Sequence, residues 1–185
     1  MSNIVITGAN RGIGLELARQ YAAMGHCVYA CCRDVAKATD LAELTNTHDV
    51  HLLEVSVGAA DSVTSLVNQL SGVAVDVLIN NAGTPATKQP IPPSDLDALT
   101  DAFWDKLLTV NLLGPFRCAR AAAPALKESR GAIVNTASIA GIIGAGSSTP
   151  YAATKAGLIN LTKALARGLA PEVRVNAVAP GMLDS

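Results

Sequence analysis

The chain has 185 residues, half of them apolar and only 3% aromatic, so one domain with an aliphatic core is expected. Its 14 basic and 15 acidic residues give a formal net charge of −1, which excludes a broad positive surface for nucleic acid or a membrane. The amino terminus lacks the basic and apolar segments of a signal peptide, so a soluble, cytoplasmic protein is expected. Residues 1–185 are therefore expected to form a single domain in which any anion-binding site is local.

Short apolar, β-branched runs alternate with helical patterns along the whole chain. This alternation predicts a parallel sheet with right-handed crossovers and helices on both faces, that is, a doubly wound α/β fold. Nearly continuous apolar runs are typical of strands covered on both faces. Six strands are predicted, in residues 3–7, 27–32, 50–55, 76–80, 132–136 and 173–178. The predicted helices cover residues 12–24, 35–45, 61–70, 101–127 and 151–169.

A glycine-rich loop, TGANRGIG in residues 7–14, joins the first strand to the first helix. Gly8 would permit a tight turn, Gly12 the close approach of a pyrophosphate, and Gly14 the packing of helix against strand. The free N–H groups at the helix start would attract the anion. Taken alone, the loop could also be a plain strand-to-helix turn. In context it predicts a dinucleotide site that contains Gly8, Asn10, Arg11, Gly12, Ile13 and Gly14.

The cysteines and histidines show no metal-binding pattern in the sequence. Cys31 and Cys32 are adjacent, so they would point to opposite faces of a strand, and no Cys-x-x-Cys pair occurs. His26, His48 and His51 lack evident ligand partners. We therefore predict no metal site and interpret the four cysteines as small buried thiols in a reducing compartment.

Further motifs follow the glycine loop in order along the chain. They are Asn80-Asn81-Ala82-Gly83 after the fourth strand, Asn111 in the long helix, Ser138 after the fifth strand, Tyr151-x-x-x-Lys155, and Pro180-Gly181 after the sixth strand. Together with the Gly-x-x-x-Gly-x-Gly spacing, this order resembles the short-chain dehydrogenase/reductase family from residue 3 to the last residue. The resemblance implies an NAD(P)-dependent oxidoreductase with a Rossmann-like sheet of strand order 3-2-1-4-5-6.

Tyr151 and Lys155 lie four residues apart on a predicted helix and therefore share one face. A positive charge beside a phenol favours its ionised form, so this lysine could make the tyrosine an acid–base group. Ser138 would hydrogen-bond the substrate oxygen. The resemblance implies that Lys155 also binds the nicotinamide ribose and that Asn111 holds a water that relays protons to it. Each residue alone would be interpreted as structural; their joint occurrence predicts interconversion of a carbonyl and an alcohol.

The end of the second strand predicts NADP in preference to NAD. Arg33 is placed to pair with a 2′-phosphate, and Arg11 could reinforce it. Asp34 would weaken this preference if it pointed into the site instead of capping the next helix. Glu54 and Val55 end the third strand, where the family commonly has Asp and an aliphatic residue beside the adenine, so contact with the adenine is expected.

The resemblance also implies cofactor contacts at Asn81, Ala82 and Gly83, and contacts with the nicotinamide carboxamide at Pro180, Gly181 and Ser185. Family members usually continue through a substrate-covering segment and a seventh strand, so the domain is expected to be short at its carboxyl end. The residues 139–146 are small and apolar, which favours a small uncharged carbonyl or alcohol substrate. The long helices 101–127 and 151–169 could form a contact between two copies of the chain.

Three functions remain open on the sequence alone. The first is an NADP-dependent carbonyl reductase or alcohol dehydrogenase, on the evidence of the ordered motifs. The second is a truncated, non-catalytic NADP(H)-binding relative, in which the phosphate loop is kept but Tyr151 is dispensable. The third is a dehydratase, epimerase or enoyl reductase of the same family, which the Tyr-x-x-x-Lys pair alone does not exclude.

Overall fold

The computed structural model describes residues 1–181, and within them six parallel strands form one sheet. The strands are β1 (Asn3–Thr7), β2 (Cys27–Cys32), β3 (Val50–Glu54), β4 (Val77–Asn80), β5 (Ala132–Thr136) and β6 (Arg174–Val178). Their order in the sheet is β3-β2-β1-β4-β5-β6, and every neighbouring pair is parallel. The predicted Rossmann-like fold is therefore confirmed, with strand ends that agree with the sequence prediction to within one residue.

Helices cover both faces of this sheet. They are α1 (Gly12–Ala23), α2 (Thr39–Thr45), α3 (Ala60–Gln69), α4 (Asp101–Leu108), α5 (Gly114–Ser129), α6 (Ala140–Ile143) and α7 (Thr149–Leu169). A 3₁₀ turn at Val35–Lys37 precedes α2, and a π-helical segment at Thr109–Leu113 joins α4 to α5. Among residues 1–181, no helix combines the length and the apolarity that are needed to cross a bilayer.

Side-chain alternation along the strands divides the core into two layers. On β1, Ile4 and Ile6 pack with α1 and α2, whereas Val5 faces the opposite layer beneath α3 and α5. Cys31 and Cys32 divide in the same way between the two layers, as their adjacency predicted. All four cysteines are free and buried, which confirms their interpretation as buried thiols.

Two predicted helices are interrupted in the structure. The helix predicted over residues 35–45 begins as the separate 3₁₀ turn, because the Asp34 carboxylate accepts a hydrogen bond from the Lys37 N–H at 3.3 Å. The helix predicted over residues 101–127 contains the π-helical segment, directly before Gly114 and Pro115. Proline has no N–H, so Pro115 cannot donate the α-helical hydrogen bond to the Asn111 carbonyl four residues earlier.

Close packing at Gly14 gives the first testable prediction. A Cβ on Gly14 would lie 2.2 Å from the Gly8 carbonyl oxygen, so Gly14→Ala forces α1 away from β1. We expect it to lower the free energy of unfolding by about 1–3 kcal/mol in equilibrium urea denaturation. Gly168 is the matched control in α7, where an added Cβ meets open space, and Gly168→Ala should raise stability by up to about 1 kcal/mol. Equal stabilities of the two variants would contradict this packing.

Candidate active site

The glycine loop lies at the carboxyl end of β1, next to the first turn of α1. Gly8 and Gly12 have positive backbone φ angles of 67° and 54°, in the left-handed region that favours glycine. Gly12 lines a cleft, and a Cβ added there would meet open space instead of protein atoms. The loop thus presents bare backbone to the cleft at the start of a helix, as an anion site requires.

Thr7 ties this loop to the end of β4. Its buried hydroxyl oxygen accepts hydrogen bonds from the N–H groups of Asn81 and Ala82, both at 3.1 Å. The Asn81 amide in turn donates to the carbonyls of Thr7, at 3.2 Å, and Gly8, at 3.0 Å. From the sequence, Thr7 was evident only as the residue before Gly8 and was not predicted to belong to the site. Its position directly before the loop was the available signal, and we assign it as a positioning residue.

A cleft of about 870 Å³ runs along the carboxyl ends of four neighbouring strands, from β3 through β2 and β1 to β4. Among the described residues, its lining contains no acidic side chain and four basic ones, namely Arg11, Arg33, Lys88 and Lys106. This local charge contrasts with the net charge of −1 of the whole chain. Ten predicted cofactor residues line the cleft: Gly8, Asn10, Arg11, Gly12, Ile13, Arg33, Val55, Asn81, Ala82 and Gly83.

Two residues of the predicted adenosine end do not line this cleft. Glu54 is exposed and lies outside the lining, whereas its neighbour Val55 is part of it. Asp34 accepts from the Lys37 N–H and forms an ion pair of 2.6 Å with the Lys37 ammonium. The hydrogen bond from the Lys37 side chain also holds the pKa of Asp34 below its usual value. Asp34 therefore caps the following turn and stays outside the cleft. Its neighbour Arg33 does line the cleft.

Asn111 is fully buried in the π-helical segment and clamps the segment that follows β4. Its Oδ1 accepts from the Thr84 N–H at 2.9 Å, and its Nδ2 donates to the Thr84 carbonyl at 2.9 Å. Its Nδ2 also lies 3.4 Å from the Thr154 hydroxyl on α7. The side chain therefore links three parts of the site, and its polar atoms are engaged within the protein.

Lys155 is 4% exposed on α7, and its ammonium donates a 2.7 Å hydrogen bond to the carbonyl of Thr136 at the end of β5. The Nζ atom lies 5.8 Å from the centroid of the Tyr151 ring. A Cβ added to Gly83 would lie 3.4 Å from this Nζ and 3.5 Å from Asn111 Oδ1. Gly83, Asn111, Tyr151 and Lys155, predicted from separate motifs, are therefore neighbours. Burial lowers the pKa of Lys155 to about 8.

Ser138 lies between β5 and the short helix α6. Its hydroxyl oxygen accepts a hydrogen bond from the Ala140 N–H at 3.2 Å and so helps to start this helix, which was not predicted from the sequence. The Ile139 N–H donates to the Pro180 carbonyl at 3.0 Å, which places the segment after β6 beside Ser138. The predicted contacts Pro180 and Gly181 are within the described residues, whereas Ser185 lies outside them.

The fold corrects one inference about the histidines. His51 was predicted to lack ligand partners, but its ring nitrogen, the Cys27 sulfur and an Asp49 carboxylate oxygen all lie within 4.8 Å of one another. Residues 27 and 49 are far apart in the sequence, and they meet only because β2 pairs with β3. The spacing rules for metal ligands within one segment could not reveal this cluster.

Known proteins resemble this chain over nearly its whole length. The family model described as "short chain dehydrogenase" matches residues 2–185. The 3-oxoacyl-acyl-carrier-protein reductase of Staphylococcus aureus is 37% identical over 98% of this chain and 74% of its own length.

Two solved structures share the fold over the whole chain. The gluconate 5-dehydrogenase of Burkholderia cenocepacia, in complex with NADP and tartrate, superposes with a TM-score of 0.88 at 32% identity over 72% of its length. The alcohol dehydrogenase of Thermococcus sibiricus, complexed with 5-hydroxy-NADP, superposes with a TM-score of 0.89 at 28% identity over 78% of its length.

The buried lysine predicts a characteristic pH dependence of stability. Burial lowers the folded-state pKa of Lys155 from 10.5 to about 8, so the unfolded chain binds more protons between these values. Relative to Lys155→Met, the free energy of unfolding of the wild-type chain should therefore rise by about 3 kcal/mol as pH increases through this window. Urea denaturation at several pH values measures the difference, with Lys163→Met on the exposed face of α7 as the matched control. A pH-independent difference would contradict the buried ammonium.

Proposed function

The chain belongs to the short-chain dehydrogenase family and is an NAD(P)-dependent oxidoreductase; we propose that it uses NADP to interconvert a small uncharged carbonyl compound and its alcohol. The observation that carries this proposal is the buried Lys155 ammonium beside the Tyr151 ring, next to Gly83 of the basic cleft. The Tyr151–Lys155 pair, which could transfer a proton, thus lies next to a basic cleft suited to a phosphate-bearing ligand.

The chemistry of the cleft fits a dinucleotide. The bare backbone of Gly12 and the start of α1 would hold its pyrophosphate, since N–H groups at a helix start bind anions. Asn81, Ala82 and Gly83 would contact the dinucleotide further along the cleft. Lys155, which lies beside Gly83, would bind the nicotinamide ribose hydroxyls. When bound, the cofactor supplies or accepts the hydride.

Three observations favour NADP over NAD. Arg33 and Arg11 both line the cleft and could pair with a 2′-phosphate. Asp34, the acid that could repel such a phosphate, is engaged with Lys37. In addition, two relatives of known structure are complexes with NADP or 5-hydroxy-NADP.

Tyr151 would exchange the proton in this reaction. In carbonyl reduction its phenol gives a proton to the substrate oxygen as the hydride arrives at the carbon, and alcohol oxidation reverses both transfers. Ser138 would donate a hydrogen bond to the same oxygen and stabilise its developing negative charge. The Lys155 ammonium, fixed by the Thr136 carbonyl, would stabilise the phenolate left on Tyr151.

Asn111 would support proton resupply through its backbone. Its side chain is engaged with Thr84, so a relay water would be held by the Asn111 carbonyl, which Pro115 leaves without its α-helical donor. π-Helical segments are frequently found at functional sites. The main-chain carbonyl of Asn111 would therefore hold the relay water, while its side-chain amide clamps Thr84.

The surroundings of Ser138 favour an apolar substrate. Ile142 and Ile143 on α6 are both 63% exposed, and Ile139 next to Ser138 is also exposed. Exposed apolar side chains around a site favour an uncharged ligand. The 3-oxoacyl group named for the Staphylococcus aureus relative carries a ketone of the required kind, so 3-oxoacyl thioesters belong among the substrates to be tested.

Removal of the phenol hydroxyl tests the proton role. Tyr151→Phe should lower turnover of ketones by about 10²–10⁴-fold, because it removes the general acid, while NADPH affinity stays within about threefold. NADPH consumption across a panel of ketones and 3-oxoacyl thioesters measures turnover, and a fluorescence titration measures binding. Tyr21→Phe on α1 is the matched control. Full turnover by Tyr151→Phe would overturn the assigned role, and NADPH binding without turnover in the wild-type chain would identify a non-catalytic relative.

Removal of the Arg33 charge tests the choice of nucleotide. Arg33→Ala should weaken NADPH binding by about 10–100-fold, because it removes one charge-assisted hydrogen bond to the 2′-phosphate. NADH binding should stay nearly unchanged, because NADH has no 2′-phosphate. Parallel titrations with the two nucleotides measure the ratio. Arg19→Ala is the control, since Arg19 forms an exposed pair with Glu16 on α1. Equal losses for both nucleotides would show that Arg33 does not contact a 2′-phosphate.

A further inference from the structure

A second cluster of chemically reactive side chains lies away from the nucleotide cleft. Cys27 begins β2, and Asp49 and His51 flank the first residue of β3. The amino ends of the strands form the edge of the sheet opposite the glycine loop, which follows the carboxyl end of β1. The cluster therefore plays no part in the proposed reaction.

Strand pairing explains why these three side chains meet. Val28 pairs with Val50 and Tyr29 with His51, so Cys27 and Asp49 are next to each other in the same ladder. Residues two apart on a strand point to the same face, which brings the side chains of residues 27, 49 and 51 together. Their sulfur, oxygen and nitrogen atoms lie within 4.8 Å of one another.

We propose that Cys27, Asp49 and His51 bind a divalent zinc ion at the amino edge of the sheet. A thiolate, a carboxylate and an imidazole are the three ligand types that zinc takes in proteins, at distances of ~2.0–2.3 Å. Ligand atoms around a tetrahedral zinc lie ~3.5 Å apart, so the cluster needs to close by only about an ångström. The fourth position is left for water.

The charges of the cluster match the ion. The carboxylate and the thiolate together balance a charge of +2, and the neutral imidazole adds a third donor. The His51 Nε2 atom lies 3.0 Å from the Asp49 carboxylate, so two of the three ligands are already adjacent. Bound zinc would displace the thiol proton, so affinity should increase with pH.

The surroundings also orient the ligands. The Tyr29 ring stacks on the His51 ring with centroids 5.0 Å apart and an interplanar angle of 18°. Cys27 is buried, whereas Asp49 and His51 are exposed, so an ion could reach the cluster from the solvent side. β3 is the last strand of the sheet on this side, and the ion would bridge it to β2.

Metal titration of the full chain tests the proposal. Co²⁺ is the spectroscopic probe, because a cobalt–thiolate bond gives a charge-transfer band in the near ultraviolet, and Zn²⁺ in competition with a chelator gives the affinity. We expect one equivalent of Co²⁺ to bind, with the band removed by one equivalent of Zn²⁺. Cys27→Ser should abolish the band, and His51→Ala and Asp49→Asn should each weaken Zn²⁺ binding at least about tenfold.

The control variant is His48→Ala, which removes a nearby histidine that lies outside the cluster. It should bind both metals as the wild-type chain does. If Cys27→Ser fails to fold, the exposed His51 and Asp49 variants still decide the question. The proposal is overturned if the wild-type chain shows no saturable binding, if His51→Ala binds Zn²⁺ as tightly as the wild type, or if only His48→Ala loses binding.

Discussion

The site depends on one buried ammonium. Lys155 is held against the Thr136 carbonyl at the end of β5, beside the Tyr151 ring and next to Gly83 after β4. A buried charge is unfavourable unless its surroundings compensate for lost water. The single carbonyl contact compensates only in part, since the pKa of Lys155 falls to about 8. A phenolate on Tyr151 would complete the compensation, so the buried ammonium is best suited to the proton-transfer role proposed for this pair.

The rest of the fold positions the groups around that ammonium. Thr7 joins the glycine loop to the end of β4, and Asn111 joins the following segment to α7 through Thr84 and Thr154. Most of the hydrogen bonds of Thr7 and Asn111 are made to backbone groups, so these buried side chains are specific connectors between strand ends. The same carboxyl edge carries the basic lining of the cleft, whereas the proposed zinc cluster occupies the other edge.

Much of this arrangement could be predicted from sequence because its signals are local. Apolar runs revealed the strands, and the glycine spacing revealed the loop, since each depends on neighbouring residues only. The π-helical segment was missed because Pro115 was the only sign of it within a continuous helical pattern. Two features could not be predicted from one segment, namely the exposure of Glu54 and the proximity of Cys27 to His51. Both depend on how β3 pairs with β2 and where β3 ends.

A direct titration of the Lys155 amine tests the central claim most directly. NMR spectra of lysine-labelled protein, recorded across pH and assigned with a Lys155 variant, follow this one group without reference to turnover or stability. The account predicts a titration midpoint of about 8 for the nucleotide-free chain. A midpoint at the ordinary value of 10.5 would mean that the ammonium is solvated, and the buried pairing of lysine with tyrosine would then be contradicted.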